Sequence, residues 1–331
     1  MRFLSQASLQ LAIAATCICA SDAQSARLFG ELGSILLSGG NLVVVSPSGT
    51  LEIPWPLGSR QGLDLPLSAI SPDGEQVASS LRLPDESSNK QCLPSQADCK
   101  KQQIEYKSVM GVYSMASKTW KFYEGFRYAG SAAFSPDGRH VAFRVTRKSL
   151  NPDCGYAPDS ETIVILDLQT GQMKSIPNTT TVRGNRQMSW SPDGRYLAVQ
   201  FSESDKIPGG EIVLIEKDTE EQKAIGTGTN PSWSPKGDWI AYLANWEEKC
   251  MLVHPDGTGA KAVLDISRRS GGWLFYSAVV WSPGEDRLLL NEEQWDGPHH
   301  DVAMVDLATG QVTTKSKNGD VALGWVPFSR K

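Results

Sequence analysis

His299 and His300, followed at once by Asp301, put two imidazoles and a carboxylate side by side in this 331-residue sequence. Those side-chain types are the donors of a metal site or the parts of a general base. Neighbours on an extended chain point to opposite faces, which keeps both rings from serving one ion, and a solvated loop is the plainer reading. The other two histidines, His140 and His254, stand apart from any motif. The sequence has no Gly-x-Ser-x-Gly elbow, no His-Glu-x-x-His and no glycine loop to cradle phosphate, so no metal and no cofactor is expected. An active site assembled from single residues of separate structural units would leave no motif at all, and an enzyme therefore stays open as the alternative.

The second chemistry-bearing group is cysteine. The N-terminus carries one arginine, an apolar stretch from Leu9 to Ala20 and then small residues, which reads as a secretory leader cleaved after Ala23. The stretch is shorter than the ~20 apolar residues needed to span a bilayer. Beyond it lie Cys92, Cys99, Cys154 and Cys250, an even number that suits disulfides in an oxidising compartment. A Cys92–Cys99 bond closes a short loop, which leaves Cys154 with Cys250 by elimination. Four free thiols are the alternative; zinc is disfavoured because no Cys-x-x-Cys or Cys/His spacing occurs. A third group is aromatic: Trp246, Trp273, Tyr276 and Trp295 sit in polar, loop-like sequence near His299 and His300. Large rings with few rotamers to freeze suit protein or carbohydrate contacts, and the plainer reading is that they cover loop hydrophobics.

What must position these residues is a repeat. Ser71, Pro72, Asp73 and Gly74 form a tetrapeptide that recurs as Ser135, Pro136, Asp137 and Gly138 and as Ser191, Pro192, Asp193 and Gly194, with degraded copies from Ser234 and Ser282. Serine opens a type I turn, proline fixes φ at the second position, aspartate is tolerated at the third and glycine takes a left-handed conformation at the fourth. Each copy lies between an apolar strand end (Ile70, Phe134, Trp190, Trp233, Trp281) and an alternating run such as Val141, Phe143 and Val145. A second apolar pair of runs follows, turning at Asp or Thr-Gly, so each repeat has four strands. The tryptophans at the shared position, with Trp325, are expected in the core.

The spacing of the serines, 64, 56, 43 and 48 residues, belongs to a β-propeller. Five turns plus a repeat assembled from both chain ends give six four-stranded antiparallel blades over residues 24–331, in one all-β domain. In the assembled repeat, the run from Val321 supplies the first strand and three runs from Gly33 supply the rest, which leaves no open sheet edge. Insertions at residues 82–105 and 147–161 carry Cys92, Cys99 and Cys154. The Ser-Pro-Asp-Gly and Thr-Gly turns fall on one face of the ring, and the insertions, the four aromatics and His299 and His300 on the other. Loops on a rigid scaffold are where binding residues sit.

This repeat resembles the propeller of the TolB-like periplasmic family, relatives of the WD-type propellers, over essentially all of residues 24–331. The separate N-terminal α/β domain of TolB has no counterpart in residues 24–33. The resemblance implies a bacterial periplasmic or secreted location and a role within an envelope complex. The net charge of −5 offers no basic face for nucleic acid. The expected function is an exported, monomeric, non-enzymatic scaffold that binds another envelope or secreted protein through its loop-bearing face or central channel. The alternative is a propeller hydrolase or lyase acting on glycans or peptides at the channel mouth.

Overall fold

Each repeat turns on a buried serine. The Gly74 N–H returns to the Ser71 carbonyl at 2.9 Å and the Ser71 N–H bonds the Gln76 carbonyl at 2.9 Å, closing the hairpin. The Ser71 hydroxyl accepts the Gln76 N–H at 2.8 Å and donates to the Asp73 carboxylate, which takes the Glu75 N–H at 3.0 Å. Gly74 holds φ at 76°, where a side chain is strained. The same set recurs around Ser135 and Ser191. Ser234 and Ser282 keep only part of it, their hydroxyls accepting from Trp239 at 3.2 Å and Arg287 at 3.0 Å. In the last turn Glu285 takes the left-handed position, with φ 60°.

The computed structural model describes residues 33–38, 41–46, 49–54, 60–61, 68–84, 106–126, 128–146, 161–181, 187–201, 210–244, 249–265, 274–294, 300–317 and 321–326. The expected leader, residues 1–23, lies outside them. Strands β1 (Gly33–Ser38), β2 (Asn41–Ser46) and β3 (Gly49–Ile53) come first. The first blade holds β4 (Arg60–Gln61), β5 (Ser68–Ile70), β6 (Gln76–Pro84), β7 (Tyr106–Ser114) and β8 (Thr119–Tyr123). The second holds β9 (Tyr128–Phe134), β10 (His140–Thr146), β11 (Glu161–Asp167) and β12 (Met173–Thr181). The third holds β13 (Ser189–Trp190), β14 (Tyr196–Phe201), β15 (Glu211–Glu216) and β16 (Gln222–Thr227). The fourth holds β17 (Thr229–Trp233), β18 (Ile240–Ala244), β19 (Lys249–Val253) and β20 (Lys261–Asp265). The fifth holds β21 (Leu274–Trp281), β22 (Arg287–Gln294), β23 (His300–Asp306) and β24 (Val312–Lys317), and β25 (Val321–Val326) follows.

All these sheets are antiparallel, and β25 pairs with β1 to give a closing sheet in the order β25-β1-β2-β3, as the paired chain ends required. The expectation of six four-stranded blades needs correcting: five sheets are regular four-stranded blades, and the first blade has five strands. Its inner lane is divided. Ser68, Ala69 and Ile70 lie opposite Ser79, Ala78 and Val77 of β6, while Arg60 and Gln61 lie opposite Arg82 and Leu81 of the same strand. Between the two pieces the sequence holds Gly62 and Pro66, residue types that interrupt a ladder.

The blades bury both faces against their neighbours. Val141, Phe143 and Val145 of β10 pack with Ala78, Met110 and Tyr123 of the first blade, while Ala142 joins Trp190, Leu197 and Val199 of the third. Ala198 and Leu214 then meet Trp233 and Tyr242, and Leu243 and Leu252 meet Trp281 and Leu288. Each such side chain stabilises the ring by about 1.5–3 kcal/mol relative to exposure. Trp190, Trp233 and Trp281 are core as expected: Trp190 Nε1 donates to the Ala133 carbonyl of the preceding blade at 3.1 Å, and Trp281 Nε1 to that of Ser232 at 2.9 Å. Strand β25 packs beside both β21 and β5, which completes the ring.

Candidate functional site

On the turn-bearing face the polar groups bind one another. Asp167 Oδ1 accepts the N–H groups of Gln169 and Thr170, both at 2.9 Å, and its Oδ2 takes Arg139 Nη2 at 2.8 Å from the other turn of the same blade. The Thr170 N–H, helped by the Arg139 guanidinium, holds the Asp167 carboxyl down at about 2. Arg195 and Glu216 repeat this pairing at 2.7 Å in the third blade. The Ser71 and Ser191 hydroxyls likewise hold Asp73 and Asp193 below the usual carboxylate range. Across blades, Lys174 meets Glu220 at 2.7 Å, and Glu285 takes Lys236 Nζ at 3.3 Å. The turn aspartates thus cap the chain's own backbone.

The second strand of each blade runs from its serine turn toward the opposite face, and the residue nine places past the serine interrupts the apolar pattern in four of the five. Those residues are Ser80, Arg144, Gln200 and Asn291, with Leu243 in the fourth blade. All are buried; Arg144 is 1 % and Gln200 3 % exposed. Arg144 is in phase with Ala142 and so faces the third blade, where its Nη2 donates to the Gln200 carbonyl at 3.1 Å. Sequence reasoning missed this polar tier, although the signal is visible in Val-Ala-Phe-Arg-Val and Leu-Ala-Val-Gln-Phe.

At the same level the inner strands bulge. Gly130 and Ser131 stand opposite Arg144, Asn230 and Pro231 opposite Tyr242, and Ser277 and Ala278 opposite Asn291. Ser131 is 2 % exposed, and its hydroxyl finds no hydrogen-bond partner among the described residues. Asn230 is fully buried with φ 53°. Just before β13, Gln187 bonds both the Asn230 side chain and the Val279 backbone. A buried guanidinium, a hydroxyl and carboxamides can orient a polar group by hydrogen bonding. His140 and His254 lie instead beside the opposite turns, His254 Nδ1 bonding the Asp238 carbonyl at 2.8 Å.

Of the residues singled out in the sequence, Tyr276 lies on β21 opposite Glu292, and His300 opens β23 opposite Glu293. The fifth blade therefore brings Tyr276, Glu292, Asp301, Glu293 and His300 into two adjoining register rows at the end away from the serine turns. Trp246, Trp273, Trp295, His299, Cys92, Cys99 and Cys154 lie outside the described residues. Cys250 is a free thiol, wholly buried beside Leu243 and Val279, and Cys154, its expected partner, lies outside the described residues. Cys250 alternates in phase with Leu252 on a core face, and burial pushes its thiol up to about 12.

The radially packed antiparallel blades and closed ends define an all-β propeller. No protein-family model and no curated protein sequence matches the chain. Among solved structures it is similar to a TolB of Acinetobacter baumannii, with a TM-score of 0.56 at 13% identity over 90% of this chain and 68% of that one. A protein described as a putative TolB from Agrobacterium tumefaciens gives 0.57 at 15% identity, over 90% of this chain and all of that one. The tricorn protease gives 0.50 at 14% identity, the likeness spanning 87% of this chain and 30% of the protease. At these identities the likeness is one of fold.

Proposed function

We propose that the chain is an exported, non-enzymatic propeller that binds another envelope or secreted protein through the face opposite its serine turns or through the channel mouth on that side. The observation that carries this reading is the contrast between the two faces. Turn-face carboxylates are consumed by the chain's own N–H and guanidinium groups, whereas the tier of Arg144, Gln200, Ser131 and Asn230 and the rows around Tyr276 and His300 lie at the other end of the strands. Counting the first blade, with its divided inner lane, gives a six-bladed ring. A leader removed after Ala23, a Cys92–Cys99 bond, a periplasmic or secreted location, a monomeric state and the absence of a cofactor belong to the same proposal, and the likeness to TolB propellers supports the location.

The test is capture from envelope extract with the tagged wild-type protein, a variant with residues 86–104 replaced by a short Gly-Ser linker, a Tyr276→Ala/His300→Ala variant and the turn-face control Arg195→Ala. A partner kept by Arg195→Ala and lost by either loop-face variant is expected. Identical, partner-free profiles from all four proteins overturn the reading. A hydrolase or lyase is the second reading, favoured by one observation: the Ser131 hydroxyl stands unpartnered, among the described residues, on the bulge opposite Arg144. Turnover in a screen of glycan, ester and peptide substrates, lost in Ser131→Ala, would select it.

A further inference from the structure

Gln187 makes a contact that its position in the chain does not call for. It stands at the entrance to the third blade, yet its carboxamide bonds the fifth. Oε1 accepts the Val279 N–H at 3.0 Å, and Nε2 donates to the Val279 carbonyl at 2.7 Å. Both backbone groups of one residue are therefore satisfied by one side chain.

The ladder says where that side chain lies. In an antiparallel pair a residue either exchanges both hydrogen bonds with its partner or directs both away from it. Val279 is in register with Leu290 of β22, and since its N–H and carbonyl go to Gln187, they point away from β22. Among the described residues the far edge of β21 carries no other strand, because β21 is the terminal strand of its sheet. It is also the strand nearest the ring axis, since β21 packs against the first strands of the neighbouring sheets, β17 and β25. The Gln187 carboxamide thus lies on the axial side of the fifth blade and takes the place that one residue of an added strand would take.

Its backbone is tied as well. The Gln187 N–H donates to Asn230 Oδ1 at 3.1 Å, on the inner strand of the fourth blade. Asn230 holds a left-handed φ of 53°, a conformation that asparagine tolerates better than other side chains do. One residue thereby joins three consecutive blades, reaching past the fourth on its channel side.

We infer that Gln187 is a clasp on the axial side of the ring, which seals the axial edge of the fifth blade's inner strand and holds blades three to five as one sector. An unpaired strand edge invites another chain to pair with it, and the carboxamide, a copy of the peptide group, occupies that edge from within. Whatever enters the channel along this sector has to displace it. The inference rests on these bonds alone and stands whether or not the channel binds a protein.

Residue-resolved amide hydrogen exchange on the full-length protein tests it, with wild type, Gln187→Met and Asn230→Gly. Gln187→Met keeps the side-chain length and removes both bonds to Val279. Exchange at the Val279 amide is expected to rise on the order of tenfold or more in Gln187→Met, while the Leu289 amide, which ladder alternation pairs with Val280, stays within about twofold. Asn230→Gly keeps the backbone conformation and releases the Gln187 N–H, and a smaller rise at Val279 is expected. A Val279 amide as protected in Gln187→Met as in wild type, or already fast in wild type, overturns the clasp. Equal acceleration of Val279 and Leu289 would mean general loosening of the blade and overturns it too.

Discussion

Replacing the three core tryptophans by phenylalanine separates hydrogen bonding from packing within a single protein, because the three sites are alike in all but one atom. Trp190, Trp233 and Trp281 occupy the same repeat position, and all three are buried. Trp190 and Trp281 donate Nε1 to carbonyls of the preceding blade at 3.1 and 2.9 Å, whereas Trp233 Nε1 has no partner among the described residues. Removing the pyrrole portion of the ring leaves a small cavity in every case, a loss on the order of 1–2 kcal/mol by the scaling of core truncations. At Trp190 and Trp281 a bond of about 1 kcal/mol is lost in addition, giving roughly 2–3 kcal/mol in total. At Trp233 the substitution deletes a buried donor that has nothing to donate to, and relief of about 1–3 kcal/mol offsets the cavity. Trp233→Phe should therefore fall within about 1 kcal/mol of wild type. The measurement is urea unfolding followed by far-UV circular dichroism, compared through the midpoint at constant m-value. Three equal losses would refute the reasoning, since cavity terms alone would then explain all of them.

Three other outcomes follow from the geometry. Cys250, with its thiol pushed up to about 12, should not react with a thiol reagent at pH 8 in native protein and should react fully in urea; Cys250→Ser should cost about 1–3 kcal/mol, the penalty for a buried hydroxyl without a partner. Deleting residues 321–331 removes β25, the strand that pairs with β1 and packs beside β5 and β21, and should replace cooperative unfolding with aggregation in light scattering; unchanged melting of a monomer would show that the ring does not close there. Asp167 titrates at about 2 when folded, below the ordinary value of 3.8, so its contribution is complete above pH 3.8 and is lost as pH falls from there through 2; Asp167→Asn should flatten the acid limb of a stability-versus-pH curve over that window, and an unchanged limb would count against the turn-to-turn bonding.

The fold was legible where the rule was local. A serine turn needs only four residue types in order, and five copies of it located the blades, their strands and their core tryptophans. The closing sheet was legible too, because Trp325 and Pro327 repeat the spacing of Trp281 and Pro283. The divided inner lane of the first blade was not: Arg60 and Gln61 carry no strand pattern of their own, and only the length of β6, nine residues, gives them a partner. The core position of Cys250 was not read because counting cysteines ignores phase. In Lys249–Val253 it alternates with Met251 and falls in step with Leu252, which faces the fifth blade.

The polar tier escaped for a related reason. Period-two reading assigns polar residues of a strand to water, which is right for a sheet with one wet face. A propeller blade has neighbours on both faces, so Arg144 is as enclosed as Ala142, two positions before it. Nor does the architecture demand a polar residue there: the fourth blade has Leu243 at the same position, fully buried in the cluster it shares with Val279 and Leu288. That blade is an internal control, showing that an apolar side chain fits nine places past the turn serine. Burying a polar group costs free energy unless hydrogen bonds replace those it made to water, and a guanidinium, being charged, needs more of them. Three neighbouring blades carry Ser80, Arg144 and Gln200 where leucine would fit, farther along their strands than the self-paired turns. The core does not require those polar side chains, and the binding proposed above would use them.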